Sequence, residues 1–323
     1  MISFRYHVVT IVAVFLGIGL GVLVGTTVLD QGLVSNLKDR THRLEQDAAQ
    51  AQKTAEAANT AVTELQGFVR DATPYLITDR LGGQPVVVVA YDGTDAAPRT
   101  EALDALSQAG AKVVAVLSVT DKMAASDEAT RTQLAGLLGQ GTSSAAPPTQ
   151  TATVLDPLVV QAAAELGDRL AAGRKQGDLP PRSGHPDILG GLIDQGFVKS
   201  AISPADLPGI GGAGQVILVV TGGSTPPPVP MEEFMLPLVE QVGQHSATWL
   251  AVGENTESSV DPLVPTVRAD SSLSTDAIVT VDDLDADFGG ISLVLGLEAL
   301  IQDGRGGSYG VESGTDGLIP QAP

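Results

Sequence analysis

Residues 8–29 read VVTIVAVFLGIGLGVLVGTTVL, and no charged side chain occurs between residues 8 and 28. A helix needs about 20 predominantly apolar residues to cross the hydrocarbon core of a bilayer. The segment therefore predicts a single transmembrane helix over 8–29, preceded by a short N-terminal tail at residues 1–7.

A cleavable signal peptide is the alternative interpretation, because Arg5 and His7 form a short charged region before the apolar segment. The apolar segment is longer than the usual core of a signal peptide, and no break in composition follows it, which favours a retained anchor. Arg5 favours a cytoplasmic N-terminus, whereas Lys38, Arg40 and Arg43 count the other way under the positive-inside rule. Since the N-terminal tail is too short to carry much function, we expect a single-pass cell-membrane protein with an extracytoplasmic C-terminal part.

Glycines recur every four residues within the apolar segment, at Gly17, Gly21 and Gly25. Small residues at this spacing leave one stripe of a membrane helix without side chains, so that two helices can approach closely. Glycine is also common in membrane helices generally. The stripe is therefore a candidate packing face rather than a demonstrated one.

Residues 30–72 carry small or apolar side chains in alternating steps of three and four. This heptad pattern predicts a left-handed coiled coil of two helices, and hence a homodimer held by a stalk. An amphipathic helix folded back on the C-terminal part would show the same periodicity. We expect Pro74 and the pair Gly82-Gly83 to end the stalk. The predicted seam consists of Val34, Leu37, Thr41, Leu44, Ala48, Ala51, Ala55, Ala58, Val62, Leu65 and Val69.

Residues 84–303 alternate short β-branched runs with helical patterns, beginning with the run PVVVVA at residues 85–90. Strands that are apolar on both faces suit a parallel sheet buried by helices on each side. We therefore predict a Rossmann-like α/β domain with a mostly parallel sheet, as one domain or two closely packed halves, and a flexible tail at 304–323. The expected strands are 85–90, 112–119, 215–221, 248–252 and 278–281, and the expected helices are 98–108, 156–172, 188–198, 231–244 and 290–302.

Composition excludes several classes of function. The chain has no cysteine, so it has neither disulfides nor thiolate ligands nor a cysteine nucleophile. A net charge of −20 argues against a nucleic-acid partner, because phosphate binding needs clustered lysines and arginines. Sequence patterns typical of a nucleophile elbow, a zinc protease or a P-loop are absent. The chain is therefore predicted not to be an enzyme, and its residues predict no certain cofactor.

Two groups of polar residues lie where the predicted sheet could bind a ligand. Ligands of such sheets bind outside the carboxyl ends of the strands, where Asp92, Asp121 and Thr221 could line one crevice. Helix capping and turn closure explain the same residues. The glycine-rich stretch 209–214 has the spacing of a dinucleotide fingerprint, but it precedes a strand instead of opening a helix. We therefore interpret it as a lead-in to that strand.

Two metal sites can be considered. Four acidic residues are clustered at Asp282, Asp283, Asp285 and Asp287, and the alternation at 283, 285 and 287 resembles the start of a calcium loop. The glycine and the closing glutamate of such a loop are missing. For a soft ion such as Cu(I), the candidates are Met231 and Met235, which are four residues apart, with His245 further along. Methionines at helical spacing more often fill a core. The residues alone therefore leave any metal site unassigned.

The opening Phe4-Arg5-Tyr6-His7, the glycine-rich span, the stalk and the run at 85–89 together resemble the actinobacterial copper transporter family of the MctB type. The resemblance covers essentially the whole chain. It implies a cell-envelope protein of copper homeostasis, with copper as a possible bound or transported ion. Pore formation with copper efflux has been proposed for some members, and regulation of a peptidoglycan hydrolase in cell division for others.

The residues favour a scaffold over a pore. A transmembrane β-barrel needs many strands of about ten residues with alternating polarity, whereas the strands predicted here are apolar on both faces. One membrane helix per chain encloses a channel only if several copies assemble. The residue-level hypothesis is a dimeric, membrane-anchored scaffold that presents an α/β domain to partners in the envelope, and copper enters through the resemblance.

Overall fold

The computed structural model describes residues 4–93, 96–140, 155–173, 187–203, 205–256 and 259–321, without the side chains of residues 26–35 and 275. It divides into two compact units, Met1–Phe68 and Val69–Pro323. The described residues of the first unit are helical, and the second unit contains the sheet.

Helix α1 runs from Phe4 to Ile77, and its part within the first unit carries the apolar segment and most of the predicted stalk. Residues Phe4–Gly25 are long and apolar enough to cross a membrane, and they overlap the span predicted at 8–29. Four apolar positions of the predicted seam are more than half exposed, namely Leu37, Leu44 at 69%, Val62 and Leu65 at 62%. Val69, by contrast, is half-buried and packs against the core of the second unit. The side chain of Val34 lies outside the described residues.

Helix α1 continues through Pro74 and ends at Ile77, between Pro74 and the pair Gly82-Gly83 that were expected to end the stalk. A proline in a helix removes one backbone hydrogen bond and crowds the preceding turn. The next turn nevertheless forms, with the Thr78 amide donating to the Pro74 carbonyl at 3.1 Å. Ile77 is fully buried in the core of the second unit. We infer that burial of this last turn offsets the cost of the proline.

The second unit is built on a seven-stranded sheet of order β3-β2-β1-β4-β5-β6-β7. All neighbouring strands are parallel except β3, which is antiparallel to β2. The prediction of an α/β fold with a mostly parallel sheet is therefore confirmed. The strands are β1 Pro85–Tyr91, β2 Lys112–Val119, β3 Val198–Lys199, β4 Val216–Val220, β5 Trp249–Gly253, β6 Ile278–Val281 and β7 Gly307–Tyr309.

Helices cover both faces of the sheet. Along β1, Val87 and Val89 face one hydrophobic cluster, whereas Val86 and Val88 face the other. All four side chains are fully buried, as expected for a strand enclosed on both sides. The first cluster includes α4 and α6, and the second includes α2 and α8. The helices are α2 Ala96–Gln108, α3 Glu128–Leu137, α4 Pro157–Ala172, α5 Ile188–Asp194, α6 Met235–Gly243, α7 Val264–Ala269 and α8 Gly289–Asp303.

Several elements differ from the sequence-based expectation. The predicted helix at 188–198 ends at Asp194, and the predicted helix at 231–244 begins only at Met235. Helices α3 and α7 and strands β3 and β7 were not predicted. The expected flexible tail at 304–323 also differs, because β7 lies within it and Tyr309 is 3% exposed. Pairing with β6 orders this segment despite its glycine-rich sequence.

Candidate functional site

The carboxyl edge of the parallel sheet is the expected ligand-binding position of such a fold. Asp92 follows β1 and forms an ion pair with Lys199, with an Nζ–Oδ2 distance of 2.5 Å. Asp121 begins a short 3-10 turn. The Thr221 hydroxyl follows β4 and donates to Glu254 at 2.9 Å. Within the described part of the chain, no hydrogen bond or ion pair joins Asp92, Asp121 and Thr221 to one another, and the crevice that they could line stays a prediction.

The Glu254 side chain, at the end of β5, is fully buried and was missed by the sequence analysis. Its Oε2 accepts from Thr221 and from the Leu263 amide at 2.8 Å, while its Oε1 accepts from Thr256 and from the Val264 amide at 3.0 Å. Burial raises the pKa of Glu254, and these hydrogen bonds act in the opposite direction. The carboxylate therefore joins the end of β4, the loop after β5 and the start of α7.

Asp282, at the end of β6, forms a second buried network. Its Oδ2 lies 2.7 Å from Nη1 of Arg268, whose Nη2 donates to the Tyr309 carbonyl at 3.1 Å. The amide of Val311 donates to Oδ1 of Asp282 at 2.9 Å, and the amide of Glu312 donates to Oδ2 at 3.3 Å. One carboxylate thus holds α7 and the segment after β7 against β6.

The acidic residues of the calcium hypothesis each have a different environment. Asp283 has a buried Oδ2 without a hydrogen-bond partner. Burial, followed by a hydrogen bond and charge repulsion from Asp282, raises the pKa of Asp283 to about 7. Asp285 accepts a hydrogen bond from the side-chain amide of Asn255. Among the residues that the structure describes, no group of three or more His, Cys, Asp or Glu is placed to hold a metal ion.

The proposed soft-metal ligands occupy two environments. Met231 and Met235 are buried in the hydrophobic cluster that contains α4 and α6. His245 follows α6 and is partly exposed, with its Nε2 lying 3.1 Å from Oδ1 of Asp168. Packing explains both methionines, and a hydrogen bond with Asp168 explains the histidine, so a copper site formed by these residues stays a prediction.

A cavity of about 350 Å³ lies beside the N-terminal end of α8. Arg70 and Thr73 of α1 line one side, Glu101 of α2 lines another, and Asp285 and Asp287 line the side near α8. Burial raises the pKa of Glu101, and the neighbouring Asp104, Asp287 and Asp285 raise it further. Three of the four charged residues that line the cavity are therefore acidic, and the fourth is Arg70.

The buried carboxylates at the carboxyl edge of the sheet have a structural role. Among the described residues of this edge, the fully buried carboxylates of Glu254 and Asp282 accept hydrogen bonds from backbone amides and from Thr221, Thr256 and Arg268. Carboxylates committed in this way connect loops and have little capacity left for a substrate. The sequence did not predict this role for either residue, because their partners lie on separate segments.

Residues 1–320 match the family model described as "Copper transport outer membrane protein, MctB". The chain belongs to the MctB family. The copper transporters MctB of Mycobacterium tuberculosis and Mycobacterium bovis are each 28% identical to the chain, over 97% of it and 98% of their own length. Copper transporter MctB of Mycobacterium leprae is also 28% identical, over 99% of the chain and the whole of the relative. The MctB resemblance inferred from the sequence is confirmed, and this family is named for transport rather than for an enzymatic reaction.

Proposed function

We propose that this chain is a single-pass protein of the cell envelope that serves copper homeostasis as a dimeric scaffold, with its α/β domain outside the cytoplasm. The exposed apolar repeat on α1, which continues the membrane-spanning segment, carries this proposal. Leu37, Leu44, Val62 and Leu65 are each more than half exposed in the single chain. The copper role is supported by membership of the MctB family. The proposed partners are membrane or cell-wall proteins, including a regulator of peptidoglycan hydrolysis in cell division.

The choice of residues in the repeat favours two parallel helices. With Val34 at position a, the β-branched Thr41, Val62 and Val69 also fall at a, whereas Leu37, Leu44 and Leu65 fall at d. β-branched residues at a with leucine at d favour parallel dimers. Anchoring both N-termini in the same membrane also requires parallel helices.

Charged residues beside the seam fit the same arrangement. Arg40 falls at position g and Glu45 at the following position e, and both side chains are exposed. In a parallel dimer, position g of one helix lies near the next position e of its partner, so Arg40 of each chain can meet Glu45 of the other. Ala48, Ala51, Ala55 and Ala58 form the middle of the seam and permit close approach of the helices.

The architecture of the α/β domain favours a scaffold over a channel. The seven strands form one open sheet, and helices pack on both faces. Within the described residues, one helix is long and apolar enough to cross a membrane. Such a chain encloses a channel only as an assembly of several copies, whereas two copies are sufficient for a scaffold.

Cysteine crosslinking tests the dimer directly, because the chain has no native cysteine. Full-length protein carrying Leu44→Cys or Leu65→Cys should form disulfide-linked dimers in native membranes under mild oxidation. Gln46→Cys, at an outward heptad position, is the matched control and should remain largely monomeric. Absence of dimers at both seam positions would exclude the coiled coil.

Two further measurements test the scaffold and copper claims. Single-channel recording with purified protein in planar bilayers should show no conductance. Conductance that is lost when residues 8–29 are deleted would instead favour a transporter. In a strain lacking the gene, the wild-type chain should restore growth in copper, whereas Leu44→Lys with Leu65→Lys, which disrupts the seam, should restore much less. Full rescue by that double variant would contradict a role for the dimer.

A further inference from the structure

Val69 has two incompatible roles in this chain. The heptad pattern places it at position a, where a seam residue faces the partner helix. In the structure its side chain is half-buried and packs against the hydrophobic cluster that contains Ile77, α2 and α8. A side chain that packs against the core of its own domain is not available to a partner helix. The seam therefore cannot continue unchanged beyond Leu65.

A second set of side chains on α1 continues the pattern from Leu65. Phe68, Ala72 and Tyr75 follow it in steps of three, four and three. Residues at these spacings lie on one face of a helix. Phe68 is 69% exposed and Tyr75 is 89% exposed in the single chain, although both are large aromatic side chains. We refer to Phe68, Ala72 and Tyr75 as the aromatic face of α1.

The step from Leu65 to Phe68 interrupts the heptad repeat. Val62 to Leu65 is a step of three, and a regular heptad would follow it with a step of four, to Val69. Two successive steps of three are a stammer, which locally changes the winding of a coiled coil without ending it. The interruption coincides with the boundary between the two compact units, which lies between Phe68 and Val69. The pattern thus changes register where α1 passes from the first unit to the second.

We propose that the aromatic face is an interface with a second copy of this chain, so that the seam shifts register at Phe68 and continues to Tyr75. This inference rests on the proposed dimeric scaffold and names the residues at which pairing reaches the α/β domains. In a parallel pair of helices, each seam residue lies opposite its equivalent on the partner. Each Tyr75 then packs against the same tyrosine of the other chain. An aromatic side chain buries about 150–250 Å², whereas the alanines in the middle of the seam bury little.

Charge and position favour a second copy over other occupants. The aromatic face carries no charge, whereas the neighbouring Arg70 and Asp71 lie outside it. A symmetric parallel seam needs an uncharged face, because each charge would otherwise meet an equal charge at close range. The bilayer is not the occupant, because about 65 Å of helix separates Gly25 from Phe68 at ~1.5 Å per residue. A second copy anchored by the same segment, Phe4–Gly25, brings an identical face to the same distance from the membrane.

Pairing at the aromatic face restrains the α/β domains, because the end of α1 is fixed to its own domain. Ile77 is fully buried in the hydrophobic cluster of α2 and α8. In the turn that follows α1, Arg80 forms an ion pair with Glu298 of α8, with an Nη1–Oε2 distance of 3.1 Å. A contact made by Tyr75 is therefore transmitted to the domain within one turn of helix. The scaffold presents its two α/β domains in one fixed orientation instead of as two independent bodies.

Disulfide crosslinking of full-length protein in native membranes tests the register, because the chain has no native cysteine. Phe68→Cys and Tyr75→Cys should each form dimers to an extent similar to Leu44→Cys. Leu76→Cys is the matched control, since Leu76 neighbours Tyr75, is 39% exposed and occupies position a of an uninterrupted heptad. Its dimer yield should be at least about fivefold lower, because cysteines whose Cα atoms are more than about 7 Å apart are not bridged without backbone movement.

A distance measurement tests the fixed orientation of the two domains. Gln302→Cys, at an exposed position of α8, carries one nitroxide label on each chain of a dimer in lipid nanodiscs. Pulsed electron paramagnetic resonance should give one narrow distribution of distances between the two labels. Adding Tyr75→Ser should broaden this distribution about twofold, because the aromatic contact is lost, whereas adding Leu76→Ser should not. Both substitutions are at exposed positions, and unchanged thermal unfolding shows that the domain is intact.

Three results would overturn the interface at the aromatic face. They are equal dimer yields for Leu76→Cys and Tyr75→Cys, absence of dimers for both Phe68→Cys and Tyr75→Cys, and an unchanged distance distribution after Tyr75→Ser. If crosslinking through Leu44→Cys persists in any of these cases, the dimeric scaffold stands and the inference about the aromatic face alone fails. If crosslinking through Leu44→Cys and Leu65→Cys is absent as well, both are contradicted.

Discussion

The carboxylate of Asp282 occupies the space in which a β-carbon on Gly310 would lie. Gly310 has φ +135°, a backbone conformation that residues other than glycine rarely adopt. The close approach lets the next two amides, of Val311 and Glu312, reach the buried carboxylate. A glycine is therefore required here for both steric and conformational reasons.

We predict that Gly310→Ala lowers the free energy of unfolding by about 1–3 kcal/mol for backbone strain and by a further 1–3 kcal/mol for overpacking. Gly314→Ala is the matched control, because Gly314 also has positive φ (+90°) but has no atom within 4 Å of the added β-carbon. Urea denaturation followed by tryptophan fluorescence measures both. Equal losses in the two variants would show that the contact with Asp282 is unimportant.

Glu254→Gln is expected to destabilise the α/β domain. The substitution replaces one acceptor oxygen with an NH₂ group that faces donors, and a buried donor left unsatisfied costs about 1–3 kcal/mol. Thermal unfolding should show a lower midpoint, and hydrogen exchange of the Leu263 and Val264 amides should accelerate. Glu232→Gln, at an exposed position, should change neither. An unchanged midpoint for Glu254→Gln would contradict the structural role of this carboxylate.

Asp283 should make stability depend on pH. Its pKa is about 7 in the folded chain against an ordinary value of 3.8, because burial and Asp282 disfavour the ionised form. The stabilising contribution of the protonated form is complete below about pH 4 and is lost as pH rises through about 7. Asp283→Asn should therefore raise the urea midpoint at pH 8 and change it little at pH 4. A larger gain at pH 4 than at pH 8 would reverse the sign and refute the assignment.

Charge exchange tests the register proposed for the stalk. Arg40→Glu alone or Glu45→Arg alone should weaken crosslinking through Leu44→Cys, because like charges would face each other. The combined exchange should restore it. Each exposed pair contributes about 0.2–1 kcal/mol, so the effect should be measured at low ionic strength and should diminish with added salt. Asp39→Lys, which alters an outward position, should have no comparable effect. Failure of the double exchange to restore crosslinking would argue against this register.

The glycine stripe gives a test within the membrane segment. Gly17, Gly21 and Gly25 each have open space where a β-carbon would project. In a close-packed pair of helices, that space would be occupied by the partner chain. Gly21→Leu should therefore reduce energy transfer between labelled chains in vesicles, whereas Gly19→Leu, off the stripe, should not. Equal transfer in both variants would remove the stripe from the interface.

The sequence predicts the centre of the fold well. Strands β1, β2, β4 and β6 are runs of β-branched and other apolar residues, and buried parallel strands need this composition on both faces. The predicted strand at 278–281 coincides with β6. Strands β3 and β7 were missed because they have two and three residues and exist through pairing with a neighbour. Local sequence carries little information about such edge strands.

The candidate site was harder to predict for a related reason. Asp282 was noted only as one of several clustered acidic residues, and its actual partners are Arg268 and the amides of Val311 and Glu312. Glu254 has no distinctive local pattern, yet its four hydrogen bonds link three segments. Pairings between distant segments are set by tertiary structure. The Met231, Met235 and His245 hypothesis, by contrast, relied on spacing alone.

The buried network around Asp282 makes the α/β domain depend on the segment that follows α8. A truncation after α8 would remove the Tyr309 carbonyl from Arg268 and the Val311 and Glu312 amides from Asp282. The shortened chain would keep the ion pair between Arg268 and Asp282 but would lose these three hydrogen bonds. Helix α7 would then lose its link to β7. Residues 309–312 therefore hold this network together, and proteolytic cleavage between α8 and Tyr309 would destabilise the domain.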